Sequence, residues 1–125
     1  MLEKENGHLL FCNSGSFSGY GTVIELDIIT NQMNFYDETN NIIDQKPSGY
    51  MMVNQIVKDQ KGNIWVTNPF CEKNGNMIAI QSKDDDAWSH IQIPDENSYR
   101  PQTIALDNAN RAWVGFAYES LGDTL

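Results

Sequence analysis

Aromatic and polar side chains in the segments between predicted strands are the strongest candidates for binding chemistry in this 125-residue chain. Loops carry binding residues disproportionately, and aromatic and arginine side chains are enriched at protein interfaces. The candidate binding residues are Phe17, Tyr20, Tyr50, Asn68, Phe70, Tyr99, Arg100 and Tyr118. The same side chains could instead fill the space between neighbouring sheets, and the sequence leaves both possibilities open.

Side chains that support catalysis or metal binding are sparse and scattered. His8 and His90 are far apart in sequence, and Cys12 and Cys71 belong to no Cys-x-x-Cys motif or Cys/His cluster. The run 83–87 (Lys-Asp-Asp-Asp-Ala) supplies carboxylates, which Ca²⁺ prefers, but it lacks the spaced Asp-x-Asp-x-Asp-Gly pattern of a calcium loop. We therefore expect a solvated turn there, and neither a metal site nor a cofactor.

Serine and glycine residues at 14–19 resemble a phosphate-binding loop only loosely, since the lysine of a P-loop is absent. The chain also lacks a Gly-x-Ser-x-Gly elbow that would present a nucleophilic serine. We therefore expect a flexible loop at 14–19, no catalytic residues, and a function other than catalysis.

Composition and charge restrict the classes of partner. With 8 Lys+Arg against 17 Asp+Glu, the formal charge is −9 and no basic patch is present. Nucleic acids and anionic membrane surfaces bind through clustered Lys and Arg, so both are disfavoured. No apolar run approaches the roughly 20 residues of a membrane-spanning helix. The charged start, Met1–Asn6, lacks the apolar centre of a secretory signal.

Short runs rich in Ile, Val, Trp, Phe and Tyr, bounded by Gly, Asn, Asp and Pro, predict strands and turns along the whole chain. No segment repeats its apolar residues with the period of a helix. The sequence therefore predicts an all-β fold. Nine strands are expected: His8–Asn13, Thr22–Asp27, Met33–Tyr36, Val53–Lys58, Asn63–Asn68, Met77–Gln81, Trp88–Ile93, Thr103–Leu106 and Arg111–Phe116.

These strands belong to an internal repeat. The segment 56–66 aligns without gaps with 104–114 at an offset of 48, and both copies carry an Asp six residues before a Trp. A repeat of about 50 residues with four strands is typical of a β-propeller blade. In a weaker first copy, 6–11 aligns with 61–66 at an offset of 55, 21–26 with 75–80, and 34–36 with 87–89.

The predicted architecture is a partial β-propeller of four-stranded antiparallel blades, about two and a quarter in number. Residues 7–37 would form strands B to D of a first blade, 53–93 a complete second blade, and 102–118 strands A and B of a third. Propellers close with about 4–8 blades. We therefore expect a piece of a longer polypeptide or a self-assembling protomer, with the rest of the propeller or another protein chain as partner. A β-sandwich with similar hairpins is the alternative fold.

Individual residues fit this arrangement. Asp59 can start a tight turn by bonding to its own backbone. Trp65 and Trp113 can bury their rings between blades while directing the indole N–H at a carbonyl. Cys12 and Cys71 fall in different blades, too far apart for the roughly 5.5 Å Cα separation of a disulfide, so we predict that both are unpaired.

The second copy resembles the two-component-regulator propeller repeat family. The pattern of that family is a β-branched strand, Asp, a gap of two residues, Gly-Asn-Ile-Trp-Val, and then Thr or Gly. Asp59 and 62–67 (Gly-Asn-Ile-Trp-Val-Thr) match it closely. The third copy keeps Asp107 and 113–115 (Trp-Val-Gly), whereas the first has Leu10 in place of the Trp.

The resemblance implies a recognition or scaffold function. Such repeats occur in periplasmic sensor regions of hybrid histidine kinases, and in surface and secretion-associated proteins that include type IX secretion components. It therefore implies a periplasmic, extracellular or cell-surface location, with protein, glycan or small-ligand partners. The similar propellers of the streptogramin B lyase group offer a third possibility. That group carries a catalytic histidine on one loop face, where neither His8 nor His90 is expected to lie.

Overall fold

The chain folds as antiparallel β-sheet throughout the part that the structure, a computed structural model, describes. The described residues are 1–13, 15–17, 21–92 and 99–118. No helix occurs among them, which confirms the all-β prediction. Their strands are β1 (Leu2–Glu3), β2 (Leu9–Cys12), β3 (Ser16–Phe17), β4 (Val23–Leu26), β5 (Met33–Tyr36), β6 (Tyr50–Met51), β7 (Gln55–Lys58), β8 (Ile64–Thr67), β9 (Asn76–Gln81), β10 (Trp88–Gln92), β11 (Tyr99–Leu106) and β12 (Ala112–Tyr118).

Two sheets have four strands each and are built alike. β1, β2, β4 and β5 pair in that order in the first sheet, and β7, β8, β9 and β10 in the second. All of these pairs are antiparallel. β11 and β12 form a hairpin, and β3 pairs with β6 in a short ribbon. The predicted four-stranded antiparallel sheets are therefore present, and no sheet of the described residues closes on itself.

The first sheet is more complete than the sequence indicated. Leu2–Glu3 pairs with β2, with Leu2 opposite Leu10 and Glu3 opposite Leu9. The prediction that this unit starts with its second strand is therefore wrong, and the described part holds two four-stranded sheets and a hairpin. Strands of two residues carry too little alternation to be recognised in a sequence. For the same reason Ser16–Phe17 and Tyr50–Met51 were not predicted.

The three repeats share one turn between their first two strands. Asp59 N–H donates to Asn63 O, and the same bond joins Lys4 to His8 and Asp107 to Arg111. Each turn places one residue at positive φ near its end, where glycine or asparagine is favoured. These residues are Gly7 (φ 86°), Gly62 (φ 89°) and Asn110 (φ 58°).

The Asp that precedes each Trp by six residues is the acceptor for that tryptophan. Trp65 Nε1 donates to Asp59 Oδ2 at 3.0 Å, and Trp113 Nε1 donates to Asp107 Oδ2 at 3.0 Å. The expectation that the indole N–H would be directed at a carbonyl is therefore wrong. Because the second strand runs back beside the turn, a separation of six residues brings the ring over the carboxylate. This contact explains the spacing seen in the sequence.

Acid should release Trp113 from Asp107 at a lower pH than an ordinary aspartate titrates. Hydrogen bonds from the Trp113 indole and from Arg111 hold the pKa of the Asp107 carboxyl at about 2. This pKa is lower in the folded chain than in the unfolded chain, where it is about 3.9. The ionised carboxylate therefore stabilises the fold above that pH, and this stabilisation is lost as the pH falls toward the folded pKa. The Trp113 indole N–H resonance should shift in NMR spectra with a midpoint near pH 2. Asp107→Asn should abolish the shift, and a midpoint near the unfolded value would contradict the contact.

The pairing register places Glu25 on the inward side of the first sheet. Leu10 pairs with Glu25 just as Trp65 pairs with Ile80, so Glu25 corresponds to Ile80. The alignment of 21–26 with 75–80 that the sequence predicted is therefore shifted by one residue from the structural equivalence. A shift of one residue exchanges the two faces of a strand. As a result a carboxylate lies at an inward position, where Glu25 is only 3% exposed.

Alternation along the strands gives each repeat two faces, which we call the Val face and the Trp face. In the second sheet the Val face carries Ile64, Val66 and Ala79, whereas the Trp face carries Trp65 and Ile78. The corresponding faces of the first sheet and of the hairpin follow from their pairing registers. Both faces of the second sheet are apolar, as expected of a sheet with a neighbour on each side.

Each Trp face packs against the Val face of the next repeat. The Val face of the second sheet shares a buried cluster with Leu10 and Val23, which lie on the Trp face of the first sheet. The Trp face of the second sheet shares another cluster with Ile104, and Ala112 and Val114 pack against it. These three residues lie on the Val face of the hairpin. The core therefore consists of two layers between three stacked units.

Successive repeats also touch through residues at equivalent positions. Asn54 Nδ2 donates to Gln102 O at 2.9 Å, and these residues are 48 positions apart. Lys58 Nζ donates to Glu3 O at 3.1 Å across 55 positions. The first strands of the three repeats therefore lie side by side. Two further pairs with the 48-residue separation are Gln55–Thr103, at 2.8 Å, and Gln60–Asn108, at 3.4 Å.

Candidate functional site

A group of aromatic and cationic side chains lies at the end of the repeats where β8 leads into its loop. The ring centroid of Phe70 is 5.3 Å from that of Tyr50, and the two planes are inclined by 58°. Lys46 Nζ lies 4.4 Å and Arg100 Cζ 5.3 Å from the Phe70 centroid. We call these four residues the Phe70 cluster. The sequence predicted three of them and missed Lys46, whose position depends on how the linker folds back.

Arg100 ties the start of β11 to the loop that carries Phe70. Its Nη1 donates to Pro69 O at 3.0 Å, and its Nη2 lies 2.6 Å from Glu72 Oε1. The guanidinium carries several donors in a fixed plane, so Arg100 can make both of these contacts at once. Arg100 therefore holds the cluster together, and its charge is balanced by Glu72.

Asp44 fixes the linker between the two sheets onto the same loop. This residue is 1% exposed, and its Oδ2 accepts hydrogen bonds from Asn74 N at 2.9 Å and Asn76 N at 3.2 Å. Its Oδ1 accepts from Gln45 N at 2.9 Å and from the Asn74 side chain at 3.2 Å. A buried carboxylate with this many donors is fully satisfied. These hydrogen bonds fix the position of the linker that carries Lys46.

A tight turn directs Lys46 and Tyr50 to the same side. Lys46 N–H donates to Tyr50 O at 2.9 Å, and Gly49, at φ 89°, donates to Lys46 O at 2.8 Å. The backbone of Tyr50 also pairs with that of Phe17 in the β3–β6 ribbon. Among the described residues, no carboxylate lies within ion-pair distance of Lys46 Nζ. Lys46 therefore offers a positive charge that no ion pair in the described part balances, on a chain whose formal charge is −9.

Asn68 does not belong to the accessible part of this cluster. It is 1% exposed, its N–H donates to Met77 O at 2.9 Å, and its Nδ2 donates to Asn76 O at 3.2 Å. Asn13 makes the same two bonds one repeat earlier, to Thr22 O and Gly21 O, both at 2.8 Å. Asn68 therefore closes the base of a loop, and its predicted binding role conflicts with its burial.

The remaining predicted binding residues are only partly covered by the structure. The backbone of Phe17 pairs with that of Tyr50. The backbones of Tyr99 and Tyr118 pair with each other in the hairpin. Tyr20 lies outside the described residues. Their binding roles stay predictions.

A second polar group, which we call the Glu25 network, lies between the first and second sheets at the opposite end of the strands. Lys4 Nζ bonds to Glu25 Oε1 and Asp86 Oδ1, both at 2.8 Å. His8 Nδ1 lies 2.8 Å from Glu25 Oε1, and Tyr36 OH donates to Glu25 Oε2 at 2.7 Å. Sequence reasoning missed this network because the alignment of β4 was one residue out.

The Glu25 network is a structural ion pair. Burial opposes ionisation of Glu25, but hydrogen bonds from Lys4, Tyr36 and His8 outweigh it and hold the pKa of this carboxyl below its usual range. Burial, and then the neighbouring Glu25, raise the pKa of the Tyr36 hydroxyl. Lys4 is 6% exposed and Glu25 3% exposed. Lys4 and Glu25 are therefore shielded from solvent, whereas the His8 side chain is 30% exposed and that of Asp86 is 56% exposed.

His90 and the acidic run at 83–87, the other residues considered for catalysis or metal binding, make contacts that stabilise the fold. His90 Nε2 lies 2.8 Å from Ile42 O in the linker. In the acidic run, Asp86 N–H donates to Ser82 O at 3.0 Å and closes a turn. No group of three or more His, Cys, Asp or Glu side chains in the described part of the chain is arranged to hold a metal ion. The described residues contain no helix with the length and apolar character needed to cross a membrane.

Both cysteines are free thiols in the structure. Cys12 lies in β2, and Cys71 lies in the loop after β8. Burial raises the pKa of both thiols, and the pKa of Cys71 reaches about 11 as Asp44 and Glu72 add to the effect. Because the thiolate is the reactive form, the raised pKa values lower the reactivity of both cysteines near neutral pH.

Comparison of the chain with protein-family models, with curated proteins and with solved structures finds no match. The described chain is an all-β protein with four-stranded antiparallel sheets, in which Lys46 and Arg100 lie beside the Phe70 ring at one end of the strands.

Proposed function

We propose that the chain is a non-enzymatic recognition and scaffold module built from propeller-type repeats, and that its Phe70 cluster binds a protein or glycan partner. The observation that carries the proposal is the convergence of Lys46, Tyr50, Phe70 and Arg100 from three separate segments. Aromatic and arginine side chains that meet at the loop end of a rigid β scaffold are a common form of binding site.

Contacts between equivalent positions support a propeller-type arrangement. The Asn54–Gln102 and Lys58–Glu3 bonds place the first strands of successive repeats next to one another. Blades arranged around a central channel bring their innermost strands together in this way. A two-layer sandwich would leave one face of the second sheet open, whereas both of its faces are covered here.

The cluster is suited to a partner with polar or anionic groups around an apolar centre. Phe70 and Tyr50 offer ring faces, and the Lys46 ammonium retains free donors beside them. The overall charge of −9 repels polyanions at long range, so a local cationic site favours single carboxylates over extended acidic polymers. Recognition of a glycan or a protein loop fits this geometry.

Ligand sensing in the periplasm, as part of a hybrid histidine kinase, is the alternative role, and it would use the same cluster. The periplasmic, extracellular or cell-surface location rests on the sequence resemblance. A lyase-type function gains no support from the histidines, because His8 bonds to the buried Glu25 and His90 contacts a linker carbonyl.

Phe70→Ala should weaken binding of a partner by at least about tenfold, since it removes the ring that the other three side chains surround. The measurement is a screen of neutral and uronic-acid oligosaccharides and of loop peptides, followed by NMR titration of the labelled chain. Gly49 and Tyr50 amide resonances should move on binding. Lys46→Ala keeps the aromatic packing and should weaken acidic ligands selectively.

Ile29→Ala serves as the control, because Ile29 is an exposed apolar residue in the turn between β4 and β5 and belongs to neither the Phe70 cluster nor a paired strand. This variant should bind as the wild type does. Equal binding by Phe70→Ala and the wild type would contradict the proposal. A ligand footprint away from residues 46–50 and 69–72, or no binding by any probe, would also count against it.

A further inference from the structure

The repeats present two faces that match each other but have no partner within the described chain. Inside the molecule a Trp face meets a Val face twice, first between the two sheets and then between the second sheet and the hairpin. The Val face of the first sheet and the Trp face of the hairpin are the two that remain. They lie at opposite ends of the stack.

The open Trp face is marked by the exposure of Trp113. Its ring is 62% exposed, whereas the equivalent Trp65 is partly buried and packs against the cluster that includes Ile104. β12 pairs only with β11 among the described strands, whereas the equivalent β8 is flanked on both sides. Exposed apolar surface of this kind is typical of interaction sites where it forms part of a larger patch.

The open Val face is apolar across β2, β4 and β5, whereas Glu3 of β1 lies on the same side. Phe35 is 47% and Met33 55% exposed. In the second sheet the corresponding face is the one buried against its neighbour. The pairing registers place six apolar side chains on the open face: Leu9, Phe11, Ile24, Leu26, Met33 and Phe35.

We infer that a second copy of this chain binds head to tail, so that the Val face of its first sheet covers the Trp face around Trp113. Over the two strands of the hairpin, the contact would repeat the packing of a Trp face on a Val face that the chain already makes twice. Every copy carries both faces, so each copy can bind one neighbour at either end. Such heterologous contacts form a ring if the rotation closes, and an open chain if it does not. This inference does not depend on the ligand of the Phe70 cluster.

The net charge of the chain predicts how the association depends on salt. Each copy has a formal charge of −9, so two copies repel each other at low ionic strength. The faces themselves are apolar. Added salt should therefore strengthen the association by screening the repulsion, whereas a contact made by ion pairs would weaken.

The test is sedimentation velocity of the full chain over a wide range of concentration, at low and high salt. The wild type should associate as concentration rises, and more strongly at high salt. Trp113→Ser and Phe35→Ser should each remain monomeric, because each removes one of the two faces. An equimolar mixture of the two variants should form a dimer and nothing larger, since only one intact pair of faces remains.

Ile29→Ser is the matched control, because Ile29 is an exposed apolar residue in the turn between β4 and β5. It should associate as the wild type does. Met33→Asp replaces Phe35→Ser if circular dichroism shows that the latter is unfolded. A wild type that is monomeric throughout, single variants that still associate, or a mixture that stays monomeric would each overturn the inference.

Discussion

Lys4→Met should lower the free energy of unfolding by about 3–5 kcal/mol, as expected when one partner of a buried ion pair is removed. Lys4 and Glu25 are 6% and 3% exposed, and their charged atoms are 2.8 Å apart. Without the ammonium, Glu25 must either stay charged between two sheets or take up a proton. Urea denaturation at neutral pH measures the loss.

Two controls separate this effect from a general change in charge. Lys83→Met breaks an exposed pair with Glu5, 45% exposed on each side, and should cost less than about 1 kcal/mol. The double variant Lys4→Met with Glu25→Leu should recover much of the lost stability, because no charge is left buried. Equal losses for Lys4→Met and Lys83→Met would show that Glu25 is solvated.

The stability that Glu25 contributes should also depend on pH. Its folded pKa lies below its usual range, so its contribution is present above the unfolded value of about 4.3 and is lost as the pH falls through the folded value. The difference between the wild type and Lys4→Met should therefore shrink in acid, where Glu25 becomes protonated in the variant first.

Ile64→Ala and Ile78→Ala should each cost about 2–5 kcal/mol, the usual range for removing a buried aliphatic side chain. Both residues are 1% exposed, but they lie on opposite faces of the second sheet and in different clusters. Denaturant unfolding of the two variants therefore tests whether both faces of this sheet are packed. Ile29→Ala, at 89% exposed, should change stability by no more than about 0.5 kcal/mol.

The two isoleucines also distinguish a stack of three units from a two-layer sandwich. In a sandwich only one face of the second sheet would be buried, so only one of the two substitutions would be costly. A loss near that of Ile29→Ala for either Ile64→Ala or Ile78→Ala would contradict the stacked arrangement.

Local patterns in the sequence were enough to predict much of the fold. Alternating apolar residues located the longer strands, and the Asp–Trp spacing identified the repeat because both residues lie within one hairpin. The two-residue strands were missed, since they have no period to detect. The inward position of Glu25 was also missed. A shift of one residue in the alignment of β4 with β9 exchanges the faces of the strand, and it can be recognised only when the backbone pairing is known.

The candidate site was predicted only in part. Aromatic and arginine content pointed to Tyr50, Phe70 and Arg100, and the structure brings them together. Lys46 joins them through the folding of the linker, which no local pattern specifies. Asn68 is a binding candidate by its place in a predicted loop, where binding residues concentrate, but in the structure its side-chain amide bonds to the backbone, a frequent role of asparagine in turns.

The most direct test of the account is whether equivalent residues of successive repeats are neighbours in solution. Gln60→Cys and Asn108→Cys, introduced together after replacing Cys12 and Cys71, should be joined by a short bismaleimide within a single chain. Peptide mass spectrometry identifies the cross-link. Gln60→Cys paired with a cysteine at Ser48, at the opposite end of the strands, should not react. Efficient linkage of 60 to 108 alone is the predicted result, and its absence, or equal linkage of both pairs, would contradict the stacked repeats.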